Sequence, residues 1–478
     1  MKKSLALLLT TTTALFAGPS LTVYNQNFAV VRDTVPLDLQ AGANTLSYSQ
    51  MTAQLEPDSV ILRDPAGKVR LQILEQSYRN DPVSQGLLLS MFEGQEIDFF
   101  QKEFQKPDAV VRGKILRSGY SAGGQTTEPV IELDGKIRFG LPGLPLFPSL
   151  KDDAALNPTL NWVIQSSQAA KLEAEIAYVT GGFTWEASYN LVAPEKGDVV
   201  DFTGWVTVNN QSGKLFKDAT VKLMAGDVNK VQPQFKAERS RRDMAVMAMS
   251  APAEQEAVTE KAFDEFHLYS VARPMTLRDK ETKQVEFVRA QGVKSERIYV
   301  YDGALIPGWR VGSMIGDNPG YGTEMNKKVN VFREFKNSEE NKLGIPLPKG
   351  RVRFYTQDET DRSLQFVGEN NIDHTAKNEL VRLYVGDSFD LVGERRQTDY
   401  KVNSSNNWAT ETIEIKVRNR KKEPAEIRVV EHLYRWLQWE IQKPSQAFEK
   451  RDSQTIEFRA PLKPDEEKLI TYTVRYTW

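Results

Sequence analysis

Cysteine is missing from all 478 residues. That removes disulfides, thiolate catalysis, Cys–zinc sites and iron–sulfur clusters at once. Stability must come from buried cores, which a chain of this length can supply. A charge surplus is missing too: 62 Lys and Arg stand against 64 Asp and Glu, a net of −2. Without a basic surplus the chain is not built to hold nucleic acid. No run approaches the ~20 apolar residues of a membrane-spanning helix. Histidine is scarce, at three residues, so imidazole chemistry has to be assembled from His267, His374 and His432.

The sequence opens MKKSLALLLTTTTALFAGPS. Lys2 and Lys3 precede an apolar, Thr-interrupted stretch, Leu5–Ala17, with small residues at Ala17 and Gly18. This is the pattern of a secretory signal peptide over residues 1–17. The stretch is too short to span roughly 30 Å of hydrocarbon. The expected address is the periplasm or the cell surface, with no transmembrane helix.

Most of the chain beyond residue 17 alternates apolar and polar residues, the period of a half-buried strand. The expected class is mainly β: antiparallel β-sandwich domains of immunoglobulin-like type, an inserted small β-barrel and little helix. Residues 18–77 read as N-terminal strands packing on the sandwich. Residues 78–150 hold the clearest helical segment, VSQGLLLSMF, then short strands between Gly-rich turns, EPVIELDGKIRFGLPGLP among them. That combination predicts a small closed barrel of five or six strands. Residues 155–235 read as one sandwich and 263–478 as another. Between them, residues 236–262 are charged, Ala- and Met-rich and without aromatics, a composition that predicts a disordered loop.

An internal echo runs through VTVNNQSGKLFKDATVKLMAG (206–226), VFREFKNSEENKLGIPLPKGRVRFYT (331–356) and IEIKVRNRKKEPAEIRVVE (413–431). Each is an alternating strand, an Asn, a polar turn and another strand. Asn tolerates left-handed backbone and caps turns through its side chain.

A series of ordered motifs carries a resemblance: YVTGGFTWEASYNLV, GWVTVNNQSG, DATVKLMAGDVNKV, FHLYSVARPMTLRDKETKQV, NKLGIPLPKGRVRFY, FVGENNIDHTAKNE and YTVRYTW. Together they resemble the bacterial domain of unknown function 4139, shared with proteins labelled mucoidy inhibitor A, over roughly residues 160–478. The start, LTVYNQNFAVVRD, is similar to exported members. The long coiled-coil-like N-terminal region of the mucoidy-inhibitor type is lacking, so the stand-alone exported form is the better likeness. The resemblance implies an exported, mostly β protein and assigns it no reaction.

The last residues, LITYTVRYTW, alternate strictly. Such a strand either closes a soluble core or belongs to an outer-membrane barrel. KVNVFREFKN and ETIEIKVRNR carry charges on both faces, and lipid-facing charge is expensive. The soluble core is the expectation.

Candidate chemistry is sparse. Each histidine has an acidic neighbour: Glu265 with His267, Asp373 with His374, Glu431 with His432. Converging strands would make a His–carboxylate metal site of them, but no recognised ligand spacing is present, and hydrogen-bonded histidines at sheet edges are the simpler expectation. Met244, Met247 and Met249 offer soft sulfur for Cu(I), against a plain Met-rich loop. Trp436 and Trp439 offer an aromatic platform, against ordinary packing. No catalytic residue stands out and no cofactor is expected. The expectation is an exported, soluble envelope protein that binds or scaffolds, with another envelope protein or a cell-wall polymer as partner. A metal-dependent envelope hydrolase and an outer-membrane-associated β protein are the alternatives.

Overall fold

The computed structural model describes residues 18–80, 83–102, 108–121, 127–150, 156–226, 228, 230, 258–263, 266–306 and 319–478. The expected signal peptide, Glu265 and Met244, Met247 and Met249 lie outside these residues. Strands dominate, and Gln85–Met91 is the one α-helix among the described residues. Ser84 starts it, its Oγ accepting from the Leu87 amide at 3.2 Å, as an N-cap should.

Residues form two compact units. One takes its described residues from Met1–Trp185, Val208–Met224 and Arg273–Lys283, the other from Glu186–Thr207, Ala225–Ala272 and Gln284–Trp478. In the first, Ser20–Tyr24 pairs antiparallel with Phe28–Leu39 and parallel with Phe216–Ala225. Phe28–Leu39 pairs in turn with Ala170–Gly181. Gly42–Tyr48 and Leu71–Arg79 flank Thr159–Ser166 in a separate sheet.

The barrel expected within residues 78–150 is a correction. The sheet there is open, in the order Leu144–Leu146, Glu96–Gln101, Ala109–Arg117, Val130–Leu133, Lys136–Phe139. Its edge strands are three and four residues long and do not pair with each other. Closure needs strands long enough to tilt and re-pair. Here Leu89 and Phe92, with Phe147, cover the face presented by Ile97, Phe99, Ile115 and Ile131. That face is buried without closure.

The second unit contains a nine-stranded sheet. Its order is Trp439–Gln442, Glu467–Thr477, Trp408–Asn419, Leu380–Asn403, Lys328–Lys336, Glu296–Asp302, Ala425–His432, Thr455–Leu462, Phe448–Lys450. Far apart in this order, Phe458 and Tyr472 nevertheless meet in a tilted ring contact with centroids 5.6 Å apart. The sheet therefore curls around one core. Ile470, Tyr472, Val474 and Tyr476 of the final strand point into that core, leaving Thr471, Thr473 and Arg475 on the other face. Also in this unit, Val258–Phe263 pairs with Phe266–Val271, so the end of the segment expected as a loop belongs to a hairpin.

The three echoed segments share one device. Asn210, Asn337 and Asn419 are fully buried. Asn419 Nδ2 donates to the carbonyls of Glu423, Leu462 and Lys463, while its Oδ1 accepts from the Lys421 amide. Asn210 repeats this with Lys214, Leu277, Arg278 and the Ser212 amide. Asn337 does so with Ile345, Ala376 and the Gly344 amide. Each Asn clamps its own turn to a second, distant turn. Those distant turns contain Lys280, Asn378 and Asp465, all in left-handed backbone. In each echo the strand after the Asn runs parallel to an earlier partner: Ser20–Tyr24, Phe183–Pro194 and Glu296–Asp302 respectively.

Candidate functional site

The three histidines occupy separate settings. His267 Nδ1 lies 2.7 Å from Glu260 Oε1. His374 Nδ1 accepts from the Lys349 amide at 3.2 Å, and the neighbouring Asp373 is exposed. His432 Nε2 lies 3.0 Å from Asp302 Oδ2. Glu431, on the opposite face of the same strand, is buried. Among the described residues no group of three or more His, Asp or Glu side chains is placed to hold a metal ion. Trp436 and Trp439 pack against the core of the nine-stranded sheet. Trp436 approaches Trp478 at 6.5 Å between ring centroids, and Trp439 donates through Nε1 to the Ser453 carbonyl.

Three arginines are buried among the described residues: Arg333, Arg395 and Arg435. Two have carboxylate partners. Arg395 Nε donates to both oxygens of Glu431 at 3.0 Å, and Tyr472 donates to the same carboxylate at 2.5 Å. Arg435 Nη2 lies 2.9 Å from Glu411 Oε1, which also accepts from the Tyr434 hydroxyl. Burial pulls the Arg395 guanidinium down, but Glu431 and the tyrosines more than restore it, so it sits above its ordinary value. The tyrosine hydroxyls of this cluster are held up, first by burial and then by the carboxylates. Arg395 and Arg435 also donate to the carbonyls of Gly322, Pro319 and Tyr321. Gly322 has φ +73, and a Cβ there would lie 2.4 Å from the Tyr434 ring. These donated bonds pin the 319–322 backbone to the core.

Arg333 is different. Only 4% exposed, it donates from Nη1 to the carbonyls of Ser295 and Gly197, and no carboxylate lies within ion-pair distance among the described residues. Its cross-strand partner is Arg297, another cation, and like charges directly opposite repel. Asp198 attracts Arg333 at longer range. The net result is a guanidinium pulled down to about 10, chiefly by burial and then by Arg297. A displacement of that size means about 3 kcal/mol of disfavoured charge.

Both arginines line a cavity of about 200 Å³ walled by Leu191, Val200, Val331 and Phe354. Arg297, Tyr299 and Lys421 line it as well, and they also line a neighbouring cleft of about 1060 Å³ whose other walls include Lys196, Asp198, Arg420 and Glu423. Lys421 is neutralised: its Nζ lies 3.0 Å from Glu423 and donates to Tyr299 at 2.7 Å. The uncompensated charge belongs to Arg297 and Arg333.

Histidine-centred reasoning missed this site. Its signal in the sequence is an arginine in an inward position, since Val329, Val331, Arg333 and Phe335 share one face of an alternating strand. No curated protein matches the chain. The family model described as domain of unknown function, DUF4139, matches residues 174–478. That span covers more than half of the chain and contains the arginine cavity and all three buried arginines, and the chain belongs to the DUF4139 family.

Proposed function

We propose that this is an exported envelope protein that acts by binding, with its ligand site at Arg297 and Arg333. One observation carries this: of the three buried arginines among the described residues, Arg333 is the one with no carboxylate of those residues within ion-pair distance, and it lines a cavity. An unpaired buried charge is strongly destabilising, and such local penalties are retained where they serve function. An anion in the cavity supplies the missing partner. Export is supported by the Lys2–Lys3 and Leu5–Ala17 pattern. The repeated Asn-clamped strand pairs support immunoglobulin-like sandwich units, a fold suited to carrying a binding site on rigid strands. The inward placement of Ile470, Tyr472, Val474 and Tyr476 supports a core-closing terminal strand over a lipid-facing one.

Thermal melting with a panel of inorganic and organic anions tests the site, because a ligand that binds only the folded state raises the midpoint by mass action. At least one anion should stabilise the wild type and leave Arg333→Met unshifted. Equal shifts in both proteins, or none in either, would overturn the proposal. Cell fractionation tests the address: the mature protein should be in the envelope fraction with its N-terminus near Gly18, and a species retaining Met1 in the cytosol would refute export.

A further inference from the structure

We infer that the ligand is an amphiphilic organic monoacid, its carboxylate on Arg297 and Arg333 and its apolar part in the 200 Å³ recess. This rests on the binding role proposed for the same arginines and adds the chemical class.

The head group follows from the charges. Arg333 uses Nη1 for the Ser295 and Gly197 carbonyls, and its Nε and Nη2 have no hydrogen bond among the described residues. Among the described residues, Arg297 makes one side-chain hydrogen bond, from Nη2 to the Glu195 carbonyl at 3.5 Å. Two planar guanidinium forks with free donors, on adjacent strands and facing one cavity, suit an oxyanion. Asp198 acts on Arg333, and Glu423 feels Arg297, both as longer-range Coulombic neighbours. With Lys421 counted against Glu423 and Asp198 against one arginine, a single net positive charge remains around the recess, which a singly charged carboxylate balances and a dianionic phosphate overshoots.

The body follows from the walls. Leu191, Val200, Val331, Phe354 and Val367 make most of the wall apolar, with Thr356 and Ser388 as its polar members, and apolar surface is where binding gains by leaving water. The recess is smaller than the ~300–1,000 Å³ of pockets for drug-sized ligands. It has room for one ring or a short alkyl chain. Any larger polar remainder of the ligand would extend past Tyr299 and Lys421 into the 1060 Å³ cleft that shares those residues.

Titration calorimetry on the full chain with benzoate, benzyl alcohol and inorganic phosphate decides this. Three variants accompany the wild type: Arg333→Met removes the charge, Val367→Trp fills the recess from a position 44% exposed, and Arg420→Met changes a residue that lines the outer cleft and not the recess. Benzoate should bind the wild type and Arg420→Met alike, and lose at least about tenfold in affinity in both Arg333→Met and Val367→Trp. Benzyl alcohol and phosphate should each bind at least about tenfold more weakly than benzoate. Phosphate binding as tightly as benzoate, with Val367→Trp silent, would overturn the acid-with-body assignment while leaving an anion site. Benzyl alcohol binding as tightly as benzoate would overturn the role of charge. If neither benzoate nor phosphate binds the wild type, both this inference and the anion site fall.

Discussion

Tyr472 donates a 2.5 Å hydrogen bond to Glu431 Oε2, and Arg395 holds the same carboxylate from another strand. Three strands of the nine-stranded sheet that are not neighbours in its order meet at this one buried carboxylate. A buried ion pair adds little net stability, because both charges are first stripped of water. Removing one partner is another matter, since it strands the other charge in the core.

Glu431→Ala should therefore destabilise the protein by about 3–5 kcal/mol. The paired replacement Glu431→Leu with Arg395→Met should lose markedly less, because no buried charge is left behind. Urea unfolding of the three proteins measures the difference. Equal losses in the single and double variants would mean that Arg395 reaches water when Glu431 is gone.

The buried asparagines are a second source of stability, and a local one. Asn419 makes four hydrogen bonds, three through Nδ2 and one through Oδ1. Asn419→Ala orphans backbone groups of two turns and should lower stability by about 2–4 kcal/mol. Asn419→Asp keeps the acceptor but loses every donated bond, and should be no better. The exposed Asn406 serves as control, with Asn406→Ala expected within about 0.5 kcal/mol of wild type. Chemical denaturation tests all three. A loss at Asn419→Ala no greater than at Asn406→Ala would show that water replaces the clamp.

How much of this was legible in the sequence depends on whether the signal was local. The alternation of Ile470, Tyr472, Val474 and Tyr476 gave both the strand and its buried face, because side chains of a strand alternate strictly. The Asn-turn echo was visible as a pattern, and its meaning lay in carbonyls up to 68 residues away, such as Arg278 for Asn210. The closed barrel was the wrong inference, because strand composition does not say whether the edges of a sheet meet. The histidines drew attention by being rare, yet they stand apart, on Glu260, Lys349 and Asp302 respectively. Arg333 passed as an ordinary charged residue in VNVFREFKN. Its register with Val329 and Phe335 marks it as inward, and only the fold shows that no carboxylate among the described residues comes within ion-pair distance of it.

That isolation has a measurable consequence for stability. Arg333→Met trades a buried, unpaired charge and two donated hydrogen bonds for an apolar side chain of similar length. With about 3 kcal/mol of disfavoured charge relieved and two hydrogen bonds lost at about 1 kcal/mol each, the ligand-free variant should melt no lower than wild type. Arg435→Met strands Glu411 and should melt far lower. Calorimetric melting compares them, and a large drop for Arg333→Met would make its carbonyl contacts the reason for its burial.

His432 supplies a pH dependence whose sign follows from its surroundings. The hydrogen bond to Asp302 raises its pKa above the ordinary 6.5, burial opposes this, and the charges of Asp302, Glu431 and Asp452 add to the rise. A histidine whose folded pKa is raised binds its proton more tightly in the folded state. Its contribution is therefore complete below about pH 6.5, the unfolded value, and is lost as pH rises through the higher folded value. Melting of wild type and His432→Gln from about pH 5 to pH 9 should show the largest difference at the acidic end, shrinking as the imidazolium deprotonates. Asp302→Asn removes the main cause of the shift and should flatten the dependence. A difference that grows with pH would reverse the sign and show that the folded protein holds His432 neutral.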